Sequence, residues 1–255
     1  MLRTRIIPVL LLKDESLVKT VQYGKHGYIG DAINTCRIFN ELEVDELCFL
    51  DITASKEKRG PNYKILQEIS NECFMPLSYG GGISDYSQAE KVFKTGFEKI
   101  VINTASFNSP ALIREIARVY GSQAVVISVD VRKNFWGKYE VYGLSGTVNH
   151  KKNPVEWVKE MEELGAGEIL LTSIDREGTW KGFDTELVRK ITDNTTLPVI
   201  AHGGAGNIQH IEEVVIKGRA SAVALGSMVV YQKQGLGVLV NFPDKELLEK
   251  ALGHS

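Results

Sequence analysis

Short apolar or β-branched runs alternate along the chain with amphipathic stretches, and glycine, serine, asparagine or aspartate separates one from the next. The runs that predict strands are RIIPVLLL (5–12), ELCFLDI (46–52), PLSYGG (76–81), KIVINT (99–104), QAVVISVD (123–130), EILLTSI (168–174), LPVIAHG (197–203) and SAVALGS (221–227). Helical spacing covers 31–43, 62–73, 85–96, 109–119, 154–164, 182–192 and 207–217, with a last amphipathic stretch at 243–252. Asn108-Ser109-Pro110 reads as a helix opening, and Gly96, Gly165 and Gly218 as helix ends. Eight βα units in 255 residues predict an α/β fold, a (β/α)8 barrel forming a single domain over 1–255. Apolar runs without strict alternation suit strands buried on both faces. The competing arrangement, a doubly wound open sheet, lacks its G-x-G-x-x-G fingerprint after the first strand.

An internal repeat supports the barrel. PLSYGGGISDYSQAEKVFKTGFEKIVINTA (76–105) lies without a gap on PVIAHGGAGNIQHIEEVVIKGRASAVALGS (198–227), an offset of 122 residues. Pro76/Pro198, Gly81/Gly203, Gly82/Gly204, Glu90/Glu212, Val92/Val214, Gly96/Gly218 and Val101/Val223 are identical, and the same offset carries Glu46 onto Glu168. Two similar half-barrels, with two similar sites, are the expectation.

Composition narrows the class. With 30 basic against 32 acidic residues the formal charge is −2, which gives no electrostatic footprint for nucleic acid or an anionic membrane. No apolar stretch of about 18 residues is present to span a bilayer, and the apolar run near the start is too short before its charges for a secretory signal, so a cytoplasmic address is expected. Cys36, Cys48 and Cys73 form no CxxC pair and read as reduced core residues. His26, His150, His210 and His254 are scattered without metal-ligand spacing, so neither a metal nor a cofactor is expected.

In such a barrel the working face is the C-terminal rim of the strands. Gly80-Gly81-Gly82 follows strand three and Asn103-Thr104 follows strand four; Gly203-Gly204 and, one residue displaced, Gly226-Ser227 match them in the second half. Glycine lets backbone approach an anion, and Asn, Thr or Ser adds a donor, so two phosphate sites are expected although glycines after strands also serve tight turns. Asp51, Asp130 and Asp175 stand at strand ends, with Glu177 close behind. Asp130 is the candidate general acid or base, pointing into the mouth; Asp51 and Asp175 can instead cap turns or pair with Arg176 or Lys19. His202 can touch a ligand but as a lone histidine is more often packed. At the opposite end, Arg5, Glu46, Lys99 and Glu168 begin strands one, two, four and six. They read either as a solvated salt-bridge ring, Arg5 with Glu46 and Lys99 with Glu168, or as a gate across the axis.

RIIPVLLLKD, ELCFLDITAS, LSYGGGI, KIVINTA, GSQAVVISVD, LGAGEILLTSIDREGT, GFD and VIAHGGAGN together resemble the cyclase subunit of imidazole glycerol phosphate synthase, over nearly the whole chain. The resemblance implies a barrel that takes ammonia from a glutaminase (glutamine amidotransferase) subunit docked on its N-terminal face and uses it to cleave a phosphorylated small molecule and close an imidazole ring. It implies phosphate or substrate contacts at Gly82, Asn103, Thr104, Glu177, Gly178, Gly204, Gly226 and Ser227, and an ammonia gate at Arg5, Glu46, Lys99 and Glu168. It makes Asp130 the strand-five acid or base and Lys19 the mobile-loop lysine.

The departures cluster at the rim. The family's CLDVKDG becomes Val9-Leu10-Leu11-Leu12-Lys13-Asp14-Glu15, so Leu11 stands where the family has a catalytic aspartate. Leucine transfers no proton, and loss of one of two cooperating carboxylates commonly removes several orders of magnitude in rate. GGGIR becomes Gly82-Ile83-Ser84, an Asp-Arg-Asp-Gly turn becomes Asp175-Arg176-Glu177-Gly178, and the strand-five loop reads GLSGTVNHKKN (143–153). The pattern implies a divergent copy that delivers ammonia to other chemistry, such as amidino-sugar assembly in a surface-polysaccharide pathway with a third, ATP-dependent amidotransferase protein. Ordinary histidine biosynthesis, a sugar-phosphate isomerase on a related scaffold and a non-catalytic ammonia conduit are the competing readings.

Overall fold

The computed structural model describes residues 3–253, so His254 lies outside the described residues. In chain order the strands are β1 (Arg5–Lys13), β2 (Ser16–Lys19), β3 (Gly27–Asp31), β4 (Leu47–Asp51), β5 (Leu77–Gly80), β6 (Lys99–Ile102), β7 (Val125–Lys133), β8 (Tyr139–Gly143), β9 (Val148–Asn149), β10 (Glu168–Ser173), β11 (Val199–His202) and β12 (Ala222–Leu225). The α-helices are α1 (Ala32–Glu41), α2 (Tyr63–Glu72), α3 (Tyr86–Lys94), α4 (Thr104–Asn108), α5 (Ala111–Tyr120), α6 (Pro154–Glu163), α7 (Thr185–Thr192), α8 (Ile208–Ile216), α9 (Ser227–Val230) and α10 (Lys245–Ala251). Parallel pairing runs β10-β11-β12-β1-β4-β5-β6-β7, and β7 pairs with β10 to close the ring. The eight expected strands are therefore the staves of a (β/α)8 barrel.

Two cores result from the pleat. Ile7, Val9 and Leu11 of β1 point inward with Cys48, Val101, Val126, Leu170 and Ile200, while Ile6, Leu10 and Leu12 face the helices. Helix starts follow local chemistry. Asp31, Asn62, Asp85, Asn153, Asp184, Asn207 and Asp244 each accept a backbone N–H of the first turn, a cap worth about 1 kcal/mol. The repeat is visible in three dimensions: α3 and α8 begin and end 122 residues apart.

The structure adds elements to the plain eightfold pattern. β2 and β3 form an antiparallel hairpin on β1, and β8 and β9 another on β7, both at the C-terminal rim. Among the described residues no helix is long and apolar enough to cross a membrane. Cys36 and Cys48 are buried as expected, but Cys73 is only half-buried and its thiol meets that of Cys36, because α1 and α2 are neighbours.

Candidate active site at the barrel mouth

A cavity of about 380 Å³ opens at the C-terminal rim, and Leu11, Gly81, Asn103, Thr104, Asp130 and His202 are among the residues lining it. Register puts Asp130 of β7 beside Thr172 of β10, and Thr172 beside His202 of β11. Asp130 is 5% exposed. Its carboxylate accepts from Ser128 Oγ at 3.1 Å and from Asn103 Nδ2 at 3.3 Å, and the Tyr23 and Thr172 hydroxyls are its further polar neighbours. Burial outweighs these donors and lifts the carboxyl to about 6. Such a group is poised for proton transfer near neutral pH. His202 is equally buried, holds Thr172 Oγ1 at 3.1 Å from Nδ1, and is pushed down to about 3 by desolvation and by Lys19, so its ring is neutral.

Leu11 is 6% exposed and belongs to the inward core layer, lining the same cavity as Asp130. Asp51 also lines it but is engaged: it caps a turn through the Thr53 and Ala54 N–H groups and pairs with Arg59 Nη1 at 2.8 Å. The cation is thus Arg59, not Lys19 or Arg176, because the 53–58 turn folds Arg59 back over the strand end. Asp175 likewise takes the Lys133 N–H at 2.9 Å and lies 3.8 Å from Arg132 Nε rather than pairing with Arg176.

The second-half residues gather in a small adjoining pocket lined by Lys19, Glu177, Gly178, Gly204, Gly226 and Ser227, with His202 shared between the two. Lys19 is 4% exposed, and its ammonium forms no hydrogen bond or ion pair within 4 Å among the described residues; Glu177 acts on it through space. Burial lowers its proton affinity. A Cβ on Gly226 would collide with the Lys19 ammonium, so glycine there is a condition for the lysine's position. The first-half residues are more dispersed. Asn103 and Thr104 line the main cavity, whereas Gly82 lies behind it with its N–H on Ser55 Oγ at 3.3 Å.

A residue that sequence reasoning missed completes the mouth. Gln22 and Tyr23 both adopt left-handed backbone, with φ of 53° and 59°, which turns the Tyr23 side chain inward. Glu177 fastens this loop by accepting from the Tyr23 N–H at 3.1 Å and from Thr20 Oγ1 at 3.1 Å.

At the opposite end the four charges form one closed ring rather than two pairs. Arg5 reaches Glu46 at 2.8 Å and Glu168 at 2.6 Å, while Lys99 lies 3.1 Å from each of the same carboxylates. Glu46 is buried, so the ring is not freely solvated. Above it a void of about 10 Å³ is lined mostly by apolar side chains, among them Ile7, Val9 and Leu170, but also by Glu46 of the ring and by Ser78, and Val101 lines both this void and the mouth cavity.

Fold and site together define a (β/α)8 barrel closed below by a charged ring and open above over one raised carboxylate. The model of the family described as "Histidine biosynthesis protein" matches residues 5–235, and the chain belongs to that family. It is 50% identical over 249 residues to a Pseudomonas aeruginosa (strain PAO1) protein provisionally named imidazole glycerol phosphate synthase subunit hisF2, covering 98% of this chain and 99% of that one. A Leptospira borgpetersenii protein, provisionally named as the HisF subunit of the same synthase, is 46% identical over 252 residues, covering 97% and 99%. The Leptospira biflexa (serovar Patoc) imidazole glycerol phosphate synthase subunit HisF is 42% identical over 228 residues, 89% of each chain.

Proposed function

We propose that this barrel is the ammonia-conducting subunit of a glutamine-dependent synthase, with a glutaminase docked on its N-terminal face. The observation that carries the reading is the axial sequence of charged ring, small void and mouth cavity, with Glu46 shared by ring and void and Val101 by void and cavity. A void of about 10 Å³ is the scale of one water-sized molecule. Beyond Glu46 and Ser78 the lining is aliphatic or thiol, so upward passage favours neutral ammonia: an ammonium leaving Glu46 would bear an uncompensated desolvation cost. The substrate on this reading is phosphorylated, with an anionic group at Lys19 and the Gly178, Gly204, Gly226 and Ser227 turns, Glu177 meeting it through its backbone while its carboxylate holds the Thr20–Tyr23 loop, and its other end near Gly82, Asn103 and Thr104.

Chemistry at the mouth rests on Asp130 without a carboxylate partner on β1, since Leu11 presents only methyl groups to the cavity. Imidazole closure by two cooperating acids is then disabled, and the ammonia serves another acceptor. Amidino-sugar assembly, with a third amidotransferase protein activating the N-acetyl oxygen, is the destination this reading takes.

The test is turnover of the imidazole-forming bisphosphate by the purified chain in excess ammonium, beside Leu11→Asp. Inactivity of the natural chain with gain in the variant is expected. Turnover by the natural chain would overturn the divergent reading in favour of ordinary histidine biosynthesis, whereas glutaminase binding with neither barrel active would favour a pure conduit.

A further inference from the structure

The loop that follows β2 covers the mouth and is built to deliver one side chain. Consecutive left-handed residues Gln22 and Tyr23 reverse the chain, and Gln22 donates its N–H to the Glu177 carbonyl at 2.9 Å and its Nε2 to the Asp175 carbonyl at 2.8 Å. Two glycines make room. A Cβ on Gly178 would strike the Thr20 carbonyl oxygen, and one on Gly146 would strike the Tyr23 ring. What this arrangement puts inside is the Tyr23 side chain, which lines the same cavity as Asp130, with its phenol facing the Asp130 and Thr172 side chains.

We propose that Tyr23 is the positioning partner of Asp130, its hydroxyl holding the carboxylate across the closed mouth where β1 offers only Leu11. The inference rests on the reading of Asp130 as the acid–base group of the mouth. Burial and the charges of Asp130 and Glu177 hold the phenol well above its ordinary titration range, so it stays protonated and donates. Donation to one carboxylate oxygen favours the ionised form and fixes which lone pair faces the cavity. The docking of the loop and the ionisation of Asp130 are thereby tied together.

Every element packed on Asp130 enters the expectation. Ser128 comes from its own strand, Thr172 from β10, Asn103 from the end of β6 and Tyr23 from the loop, while Tyr142 of β8 is its register partner. Asp51, Glu177 and His202 line the cavity with it, Lys13, His26, Lys56 and Glu57 are the other charged or titratable side chains of its lining, and Lys19 lies in the adjoining pocket.

The test is a carboxyl-carbon NMR titration of the full chain labelled at aspartate, with the Asp130 signal assigned by its loss in Asp130→Asn. The natural chain should titrate near 6. Tyr23→Phe, which keeps the ring against Gly146 and removes only the hydroxyl, should move the midpoint up by about 0.5 pH unit or more. A midpoint that stays put or falls overturns the proposal, since a ring that merely packs would leave Asp130 unchanged. No substrate is needed, so the result stands apart from the outcome of the bisphosphate assay.

Discussion

The Arg5 guanidinium meets the Glu168 carboxylate at 2.6 Å across the bottom of the barrel, joining strands that lie on different sides of the ring. Lys99 touches the same carboxylate and Glu46 as well, so each anion is neutralised by both cations. Removing one cation leaves a buried carboxylate under-compensated, which costs more than an exposed pair would.

Lys99→Met should therefore lower stability by about 1–3 kcal/mol, read by thermal unfolding. Adding Glu168→Gln should cost less than the two single changes combined, because the double variant deletes the charge left unpaired. In the complex with a glutaminase, the same variant should change glutamine-driven product formation relative to ammonium-driven formation. Equal rates in both assays would reduce the ring to a structural closure.

Asp130 should make the protein less stable as pH rises. Its folded carboxyl, near 6, binds protons more tightly than the unfolded one, near 3.8. Nothing is lost below the unfolded value, and the penalty grows until pH passes 6, reaching about 3 kcal/mol. Asp130→Asn should accordingly gain stability relative to the natural chain between pH 4 and pH 7. A difference that is flat across that interval would contradict the raised value.

His202 works in the other direction. Its folded imidazole titrates near 3, well under its ordinary 6.5, so the unfolded chain takes up a proton that the folded chain refuses. Stability contributed by the neutral ring is complete above 6.5 and is lost as pH falls toward 3. Between 4 and 6 the two slopes oppose each other, and the natural chain should show a shallow pH dependence there. His202→Asn should unmask the Asp130 slope, with stability falling from pH 4 to pH 6; a profile parallel to the natural one would refute it.

The barrel was legible because its signals are redundant. Each strand is a dense apolar run, and the halves repeat with α3 exactly in register with α8, so the alternation survives any single misread boundary. The rim hairpins were not, since SLVK, GYIGD and VN are too short to carry a period and form by docking on β1 and β7. Asp130 could be placed because it closes an apolar run, and Leu11 because it falls at the aspartate of the strand-one motif that the chain resembles. Tyr23 could not, because its position depends on two left-handed residues and on a glycine 123 positions away. Arg59 escaped for a similar reason: its partner choice is set by a turn, not by spacing.

Lys19 offers a direct probe of the proposed anion site. A cation that is nearly solvent-free, has no ion pair within 4 Å and abuts glycine turns should gain from a bound anion what it lost on burial. A ligand that binds only the folded state stabilises by about 2.7 kcal/mol at a hundredfold excess over its dissociation constant. Inorganic phosphate should thus raise the unfolding temperature progressively with concentration, while chloride at matched ionic strength should not. Lys19→Met, which keeps the aliphatic stem, should abolish the phosphate response without preventing folding. Gly226→Ala, whose methyl would displace the ammonium, should weaken it in parallel. If phosphate stabilises Lys19→Met as strongly as the natural chain, the lysine is a packed cation and the anion is held elsewhere on the rim.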